Sequence, residues 1–137
     1  MKNSNIKVQN SNAKTRRSFF DLEDRMSAFG NEIIILCKNL PQNAITKPLI
    51  SQIVRSATSV GANYAEANNA ASKKDFRNKV YISKKESQET KHWLRMLETA
   101  VPYKSQEIRI LWQENHELSL ILQSIANKLQ ESNEVKI

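Results

Sequence analysis

The chain has 137 residues and a formal net charge of +7 at pH 7, a size that suits one domain with a sizeable core. Two glycines and three prolines leave few breaking points, and no stretch sustains the alternation and turn dipeptides of strands, so long helices are expected. The single cysteine, Cys37, excludes an internal disulfide framework and any zinc site built from several cysteines.

Residues 1–18 hold Lys2, Lys7, Lys14, Arg16 and Arg17 and no acid, while the rest of the chain has 16 basic and 14 acidic residues. The basic character therefore belongs largely to this tail. It is rich in Asn and Ser with isolated apolar residues, and is expected to be disordered. It lacks the apolar core of a secretory signal. No apolar run approaches the roughly 18 residues of a membrane span. A cytoplasmic protein without membrane contact is the expectation.

The bundle is expected over residues 19–131. Helix one is predicted over about 20–40, where Leu22, Met26, Phe29, Ile33, Leu36 and Leu40 form a heptad seam and Pro41 ends it. Ile34, Ile35 and Cys37 widen the apolar surface beyond one seam, which points to deep burial or to another subunit. Cys37 itself reads as a small buried hydrophobe. Gly30 costs about 1 kcal/mol against Ala unless close packing requires it. Helix two begins near Thr46, read as its N-cap, with Pro48 in the first turn. Its seam is Ile50, Ile53, Ala57, Val60, Tyr64 and Ala67. Helix three opens at Ser72 with a capping-box pattern carrying Asp75 and runs to the break at Pro102. Helix four follows from near Ser105 to about 130, with Asn115 the one polar member of its seam and Trp112, Leu120 and Ile121 off it. Residues 132–137 are expected to fray. Four helices on short connections predict an all-α, antiparallel up-down bundle.

The stretch 52–97 carries the unusual residues. Ten of the seventeen positions from Ser56 to Ser72 are Ala, Ser or Gly, which lets helix backbones approach closely. Arg55, Ser59, Asn63 and Glu66 follow at spacings of four, four and three and share one helix face. Lys85, Glu86 and Glu89 answer on helix three, between apolar Phe76, Val80, Leu94 and Leu97. The reading is a polar layer inside the bundle, with Arg55 opposite Glu86 or Glu89, that sets helix register or subunit geometry. The other account is that these charges face water. On helix three, Arg77, Lys84 and Lys91 are spaced seven apart, with Lys73 and Arg95 nearby. That stripe is either a solvated outer face or a phosphate-contacting track, to which Lys14, Arg16 and Arg17 of the tail would add.

Gln52, Arg55, Ser56, Ala57, Ser59, Val60, Ala62, Asn63 and Glu66, then Ser72, Asp75 and Phe76, then Lys85, Glu86, Glu89, Thr90, Trp93 and Leu94 make a specific pattern. It resembles the four-helix bundle family named after proteins encoded in 23S rRNA intervening sequences. The resemblance covers the middle third of the chain well, the outer helices by pattern only, and the tail not at all. It implies a bundle that assembles as a ring-like homopentamer and does not imply an enzyme. One branch of that family, the accessory variability protein of diversity-generating retroelements, binds nucleic acid and partners a reverse transcriptase. In one departure, His92 stands where the family often has an aromatic residue, and it completes Glu89-x-x-His92. A di-iron site needs a second such motif and two further carboxylates, so no metal is expected, and His116 stands apart from any ligand spacing. No glycine-rich phosphate loop or nucleophile arrangement supports an enzyme, and no cofactor is expected. The expectation is a self-associating accessory protein with RNA or DNA, and a reverse transcriptase, as candidate partners. The alternative is a protein-interaction scaffold.

Overall fold

The computed structural model describes the backbone of residues 11–135 and the side-chain surroundings of residues 22–131. Four helices account for it: α1 (Ser11–Lys38), α2 (Thr46–Asn68), α3 (Lys73–Ala100) and α4 (Ser105–Val135). Their ends follow from a few residues. Pro41 disfavours helix at the residue before it, and α1 closes with Asn39 and Leu40 donating back to the carbonyls of Leu36 and Cys37. Asn43, rather than Thr46, starts α2. Its side-chain oxygen accepts from the backbone N–H of both Ile45 and Thr46, each at 2.9 Å. Thr46 is already the first helical residue, and its buried hydroxyl accepts from Asn43 N–H and donates to the Pro41 carbonyl. The amide side chain reaches two orphan donors at once, and a hydroxyl one turn further in cannot. Ser72 caps α3 by accepting from Asp75 N–H at 3.0 Å. Pro102 opens a short 3₁₀ turn, Pro102–Lys104, that leads into α4.

Helix α1 begins at Ser11, ahead of the expected start near residue 20, so residues 11–18 of the expected disordered tail have a helical backbone. Ala, Lys and Arg in that stretch are good helix formers, and extending an existing helix avoids the cost of nucleation. Helix α4 likewise runs to Val135, past the expected end near residue 130. Residues 1–10 of the expected tail lie outside the described residues.

Each helix packs on its chain neighbours, and α1 closes against α4, with no diagonal approach of backbones. That is an up-down four-helix bundle. The predicted seams form its core: Met26, Phe29 and Ile33 from α1, Ile53, Val60 and Tyr64 from α2, Val80, Leu94 and Leu97 from α3, and Ile108, Leu118 and Leu122 from α4 are all essentially inaccessible. Burying each such side chain is worth about 1.5–3 kcal/mol. The faces are not equal. The α2–α3 contact is the most extensive and the α1–α4 contact the least. Small residues help explain the first, since Ser56 on α2 and Ser83 on α3 are fully buried and bond across to Thr90 and to the Val60 carbonyl. Along the weak seam, Ile35 and Ile110 border a cleft of about 320 Å³ and stay exposed. Cys37 is buried, which pushes its thiol up to about 11 and leaves it inert at neutral pH.

Gly30 and Gly61 face each other's helices where α1 crosses α2. A Cβ at Gly61 would lie 3.4 Å from Met26 backbone and side-chain atoms, with little slack. A Cβ at Gly30 would meet Thr58 at 3.6 Å, an ordinary contact, so close packing does not require glycine there. Gly30→Ala should therefore raise stability by about 0.5–1 kcal/mol through helix propensity, measured as a higher urea midpoint with an unchanged m-value. A lower midpoint would mean that the α1–α2 crossing cannot take the methyl group.

Candidate functional site

Two sets of polar groups lie on α2 and α3, the inner one reaching α4, and they differ in what surrounds them. The inner set is Ser56, Ser83, Ser87, Thr90 and Asn115, all inaccessible to solvent. Thr90 donates to Ser56 Oγ at 2.9 Å, Ser83 donates to the Val60 carbonyl at 2.7 Å, and Ser87 donates to Asn115 Oδ1 at 3.0 Å. Asn115 returns a bond from its amide to the Ser87 carbonyl at 2.9 Å. Every hydroxyl in this layer has a partner, as burial demands. Asn115 stood out in the sequence as a polar member of a seam. Ser83 and Ser87 did not, although they fill the core positions between Val80 and Leu94.

The outer set is the predicted polar layer, and it is not inside the bundle. Arg55 does meet both expected partners, through its guanidinium to Glu86 at 3.2 Å and to Glu89. Yet the Arg55 side chain is 47% exposed, against 16% for Glu86 and 33% for Glu89. Ser59 and Asn63 bond back to their own helix, to the carbonyls of Arg55 and Ser59. Glu66 pairs with Lys79 at 2.6 Å, a partner the sequence reading did not single out. Lys85 is exposed and acts on Glu89 only by its charge. The Trp93 indole N–H, then Arg55, hold the Glu89 carboxyl below its usual range. The face is a solvated network on the α2–α3 flank, placed there because the apolar seam of α2 occupies the opposite arc of the helix.

The other flank of α3 faces α4 and carries the predicted basic stripe. Lys73 and Arg95 are exposed, and Arg77, Lys84 and Lys91 are half-buried. Lys84 donates to Gln123 at 3.1 Å, and the Lys91 ammonium lies 5.3 Å from the centre of the Trp112 ring. None of the five has an ion-pair partner among the described residues. The nearby acids are engaged elsewhere. Arg25 on α1 takes Glu114 through two bonds at 2.7 and 2.8 Å and Glu117 at 2.8 Å, drawing both toward α1. Arg109 holds Glu98 at 2.6 Å. From α4, Arg109 meets Glu98, Trp112 meets Lys91 and Gln123 accepts from Lys84 along this flank. The tail candidates Lys14, Arg16 and Arg17 lie outside the residues whose side chains are described. His92 is exposed, edge-on to Trp93, and His116 stacks on Trp112 at 5.1 Å with its Nδ1 buried and unpartnered. Among the described residues no three His, Cys, Asp or Glu side chains gather as a metal site.

The fold and its packed hydroxyl core define an all-α four-helix bundle protein. Residues 21–134 match the family model of the 23S rRNA-intervening sequence protein, and the chain belongs to that family. A crystal structure of a protein with unknown function from the S23 ribosomal protein family of Bacteroides thetaiotaomicron is similar, with 32% identity and a TM-score of 0.67. The match covers 77% of this chain and 97% of that one. No curated protein matches the chain.

The two polar sets should respond differently to truncation. Asn115→Ala takes away the partner of the buried Ser87 hydroxyl, and should cost the roughly 1–3 kcal/mol of an unsatisfied buried group. Arg55→Ala breaks an exposed pair and should cost the fold about 1 kcal/mol or less. Chemical denaturation of both variants checks this, and equal losses would contradict the assignment of inner and outer sets.

Acid should weaken the fold through the outer network. Glu89, Glu98 and Glu117 are all held below the ordinary carboxylate value, by Trp93, Ser105 and Gln113 first and by Arg55, Arg109 and Arg25 next. A depressed folded value gives stability that is complete above the unfolded value of about 4.3 and is lost as pH falls through the folded value. The urea midpoint should be flat from pH 7 to about 5 and fall below that. Arg25→Gln should flatten the fall, and a midpoint that rises on acidification would overturn the reading.

Proposed function

We propose that the chain is a non-enzymatic, self-associating accessory protein that binds RNA or DNA by its phosphates along the α3–α4 flank. The observation that carries this reading is the basic stripe of Lys73, Arg77, Lys84, Lys91 and Arg95, which no described acid neutralises although acids are available on both helices. Ion pairs take up the acids nearby: Arg25 holds Glu114 and Glu117 between α1 and α4, Arg55 and Lys79 hold Glu86, Glu89 and Glu66 between α2 and α3, and Arg109 holds Glu98 on the α3–α4 flank itself. A row of cations left open on one flank is the electrostatic footprint of a polyanion site. Self-association is supported by Ile35 and Ile110, exposed along the weakest helix seam. The homopentamer implied by the family resemblance is the assembly proposed. In this reading the protein works in the cytoplasm beside a nucleic-acid enzyme such as a reverse transcriptase. No helix among the described residues is long and apolar enough to cross a membrane. A scaffold that binds only protein is the second reading, favoured by the same exposed apolar seam.

Anisotropy with labelled RNA and duplex DNA across a salt series separates the two. Affinity should fall steeply with salt and show little sequence preference. Each phosphate contact removed lowers the slope of log K against log salt by about 0.9 on duplex DNA, so Arg77→Gln with Lys84→Gln and Lys91→Gln should lower it by roughly 2–3. Lys14→Gln with Arg16→Gln and Arg17→Gln tests the share of the tail. Absence of binding to any nucleic acid would leave the scaffold.

A further inference from the structure

The α3–α4 flank is more than a row of charges. Near the end of the bundle that carries the 3₁₀ turn, α3 and α4 part to leave a cleft of about 370 Å³. That volume lies within the range of about 300–1,000 Å³ typical of small-molecule sites. Its floor is apolar, formed by Leu94 and Ile108, both buried in the core. Its walls are Trp112 from α4 and Arg95 from α3, with Arg109 and Glu98 at the rim. Trp112 is held in place by groups that do not line the cleft: His116 stacks on it at 11° to its plane, and the Lys91 ammonium sits over the ring. Trp112 itself lines the cleft, so part of its aromatic surface faces it. Glu98 adds little free charge, because Ser105 and Arg109 both donate to the same carboxylate oxygen. Arg95 is exposed and has no ion-pair partner among the described residues.

A polyphosphate alone would use the cations and ignore the indole and the apolar floor. An apolar peptide would use the floor and leave Arg95 and Lys91 unanswered. A nucleotide unit uses both, with a flat base against the ring and an anion beside it. We infer that this cleft accepts one unpaired nucleobase of a single strand, stacked against Trp112, with the adjoining phosphate on Arg95. The inference rests on the reading of the flank as a phosphate-binding track, and it adds a preference that the track lacks. Within a duplex the faces of each base are covered by neighbours, so only an unpaired or extruded base can enter. Aromatic platforms beside basic grooves hold single strands in this manner without reading sequence.

The test compares three labelled probes of equal phosphate number: oligothymidylate, a duplex, and an abasic strand. The wild-type full-length chain should bind oligothymidylate about tenfold more tightly than the abasic strand, the scale of one base–aromatic stack. Trp112→Leu should erase that difference while leaving duplex binding unchanged, and Trp112→Phe should keep most of it. Circular dichroism melting confirms that both variants fold. The wild-type comparison of the two strands needs no variant at all. Equal wild-type binding of oligothymidylate and the abasic strand, or a preference that survives Trp112→Leu, overturns the base pocket and leaves the phosphate track standing. No binding of any probe overturns the track and the pocket together.

Discussion

The close approach of α2 and α3 governs the rest of the molecule. Small side chains let two helices come this near, and Ser56 and Ser83 meet that requirement at full burial. Serine does so at a cost that alanine would not carry, because each hydroxyl must find a partner in a place without water. Thr90 to Ser56, Ser83 to the Val60 carbonyl and the two-way exchange between Ser87 and Asn115 are those partners. Sliding α3 along α2 by a turn would break several of them at once. Each unsatisfied group would cost about 1–3 kcal/mol, which is enough to choose one register among several that the apolar residues alone would tolerate. The last of these bonds reaches α4, so the same layer also sets the height of α4 against α3.

That register decides how surface charge is shared out. It brings Arg55 level with Glu86 and Glu89 on the α2 flank, so acids of α3 are spent there. Arg25 draws Glu114 and Glu117 of α4 toward α1. Between α3 and α4, Glu98 is taken by Arg109, which leaves Lys84 leaning on Gln123 and Lys91 on Trp112 with no ion-pair partner among the described residues. Exposed ion pairs contribute little to folding individually. Their larger effect is on the field outside the protein, since each pair cancels a cation on one flank and leaves those of another unopposed.

This sorting explains what could be read from sequence and what could not. The heptad seams were legible because a buried helix face is a matter of period, and period survives without coordinates. The position of Arg55 was half legible. Its spacing to Ser59, Asn63 and Glu66 identifies a shared face, but says nothing of which way that face turns. Placing it on the same wheel as the seam settles the question: at 3.6 residues per turn Arg55 stands about 200° round from Ile53, so a buried Ile53 turns Arg55 outward. The residues that do fill the core between Val80 and Leu94 were hidden by chemistry. Serine and threonine at core positions look like surface residues until the bonds that satisfy them are seen. The basic stripe was legible from its seven-residue spacing, but its lack of acidic partners was not, because a near-neutral count over residues 19–137 averages a paired surface with an unpaired one. The helical start at Ser11 was hidden by composition, since a polar stretch that could not fold alone can still extend a helix nucleated by the core behind it.

The arrangement also separates two demands that commonly compete. Ile35 and Ile110 lie on the α1–α4 seam, whereas Lys84, Lys91 and Trp112 lie on the α3–α4 flank. Helix α4 contributes to both, through opposite sides: Ile110, Glu114 and Glu117 turn toward α1, and Trp112, His116 and Gln123 toward α3. In the proposed assembly, copies that bury the apolar seam would therefore leave the basic flank of each copy uncovered. Binding of one extended strand then becomes multivalent, with successive contacts made at the effective concentration of a tethered site. On that proposal a single flank with five exposed or half-exposed cations would be a weak polyanion site at physiological salt. A ring of such flanks needs no stronger contact in any one copy to hold a strand firmly, and it loses its grip steeply when salt screens all of them together.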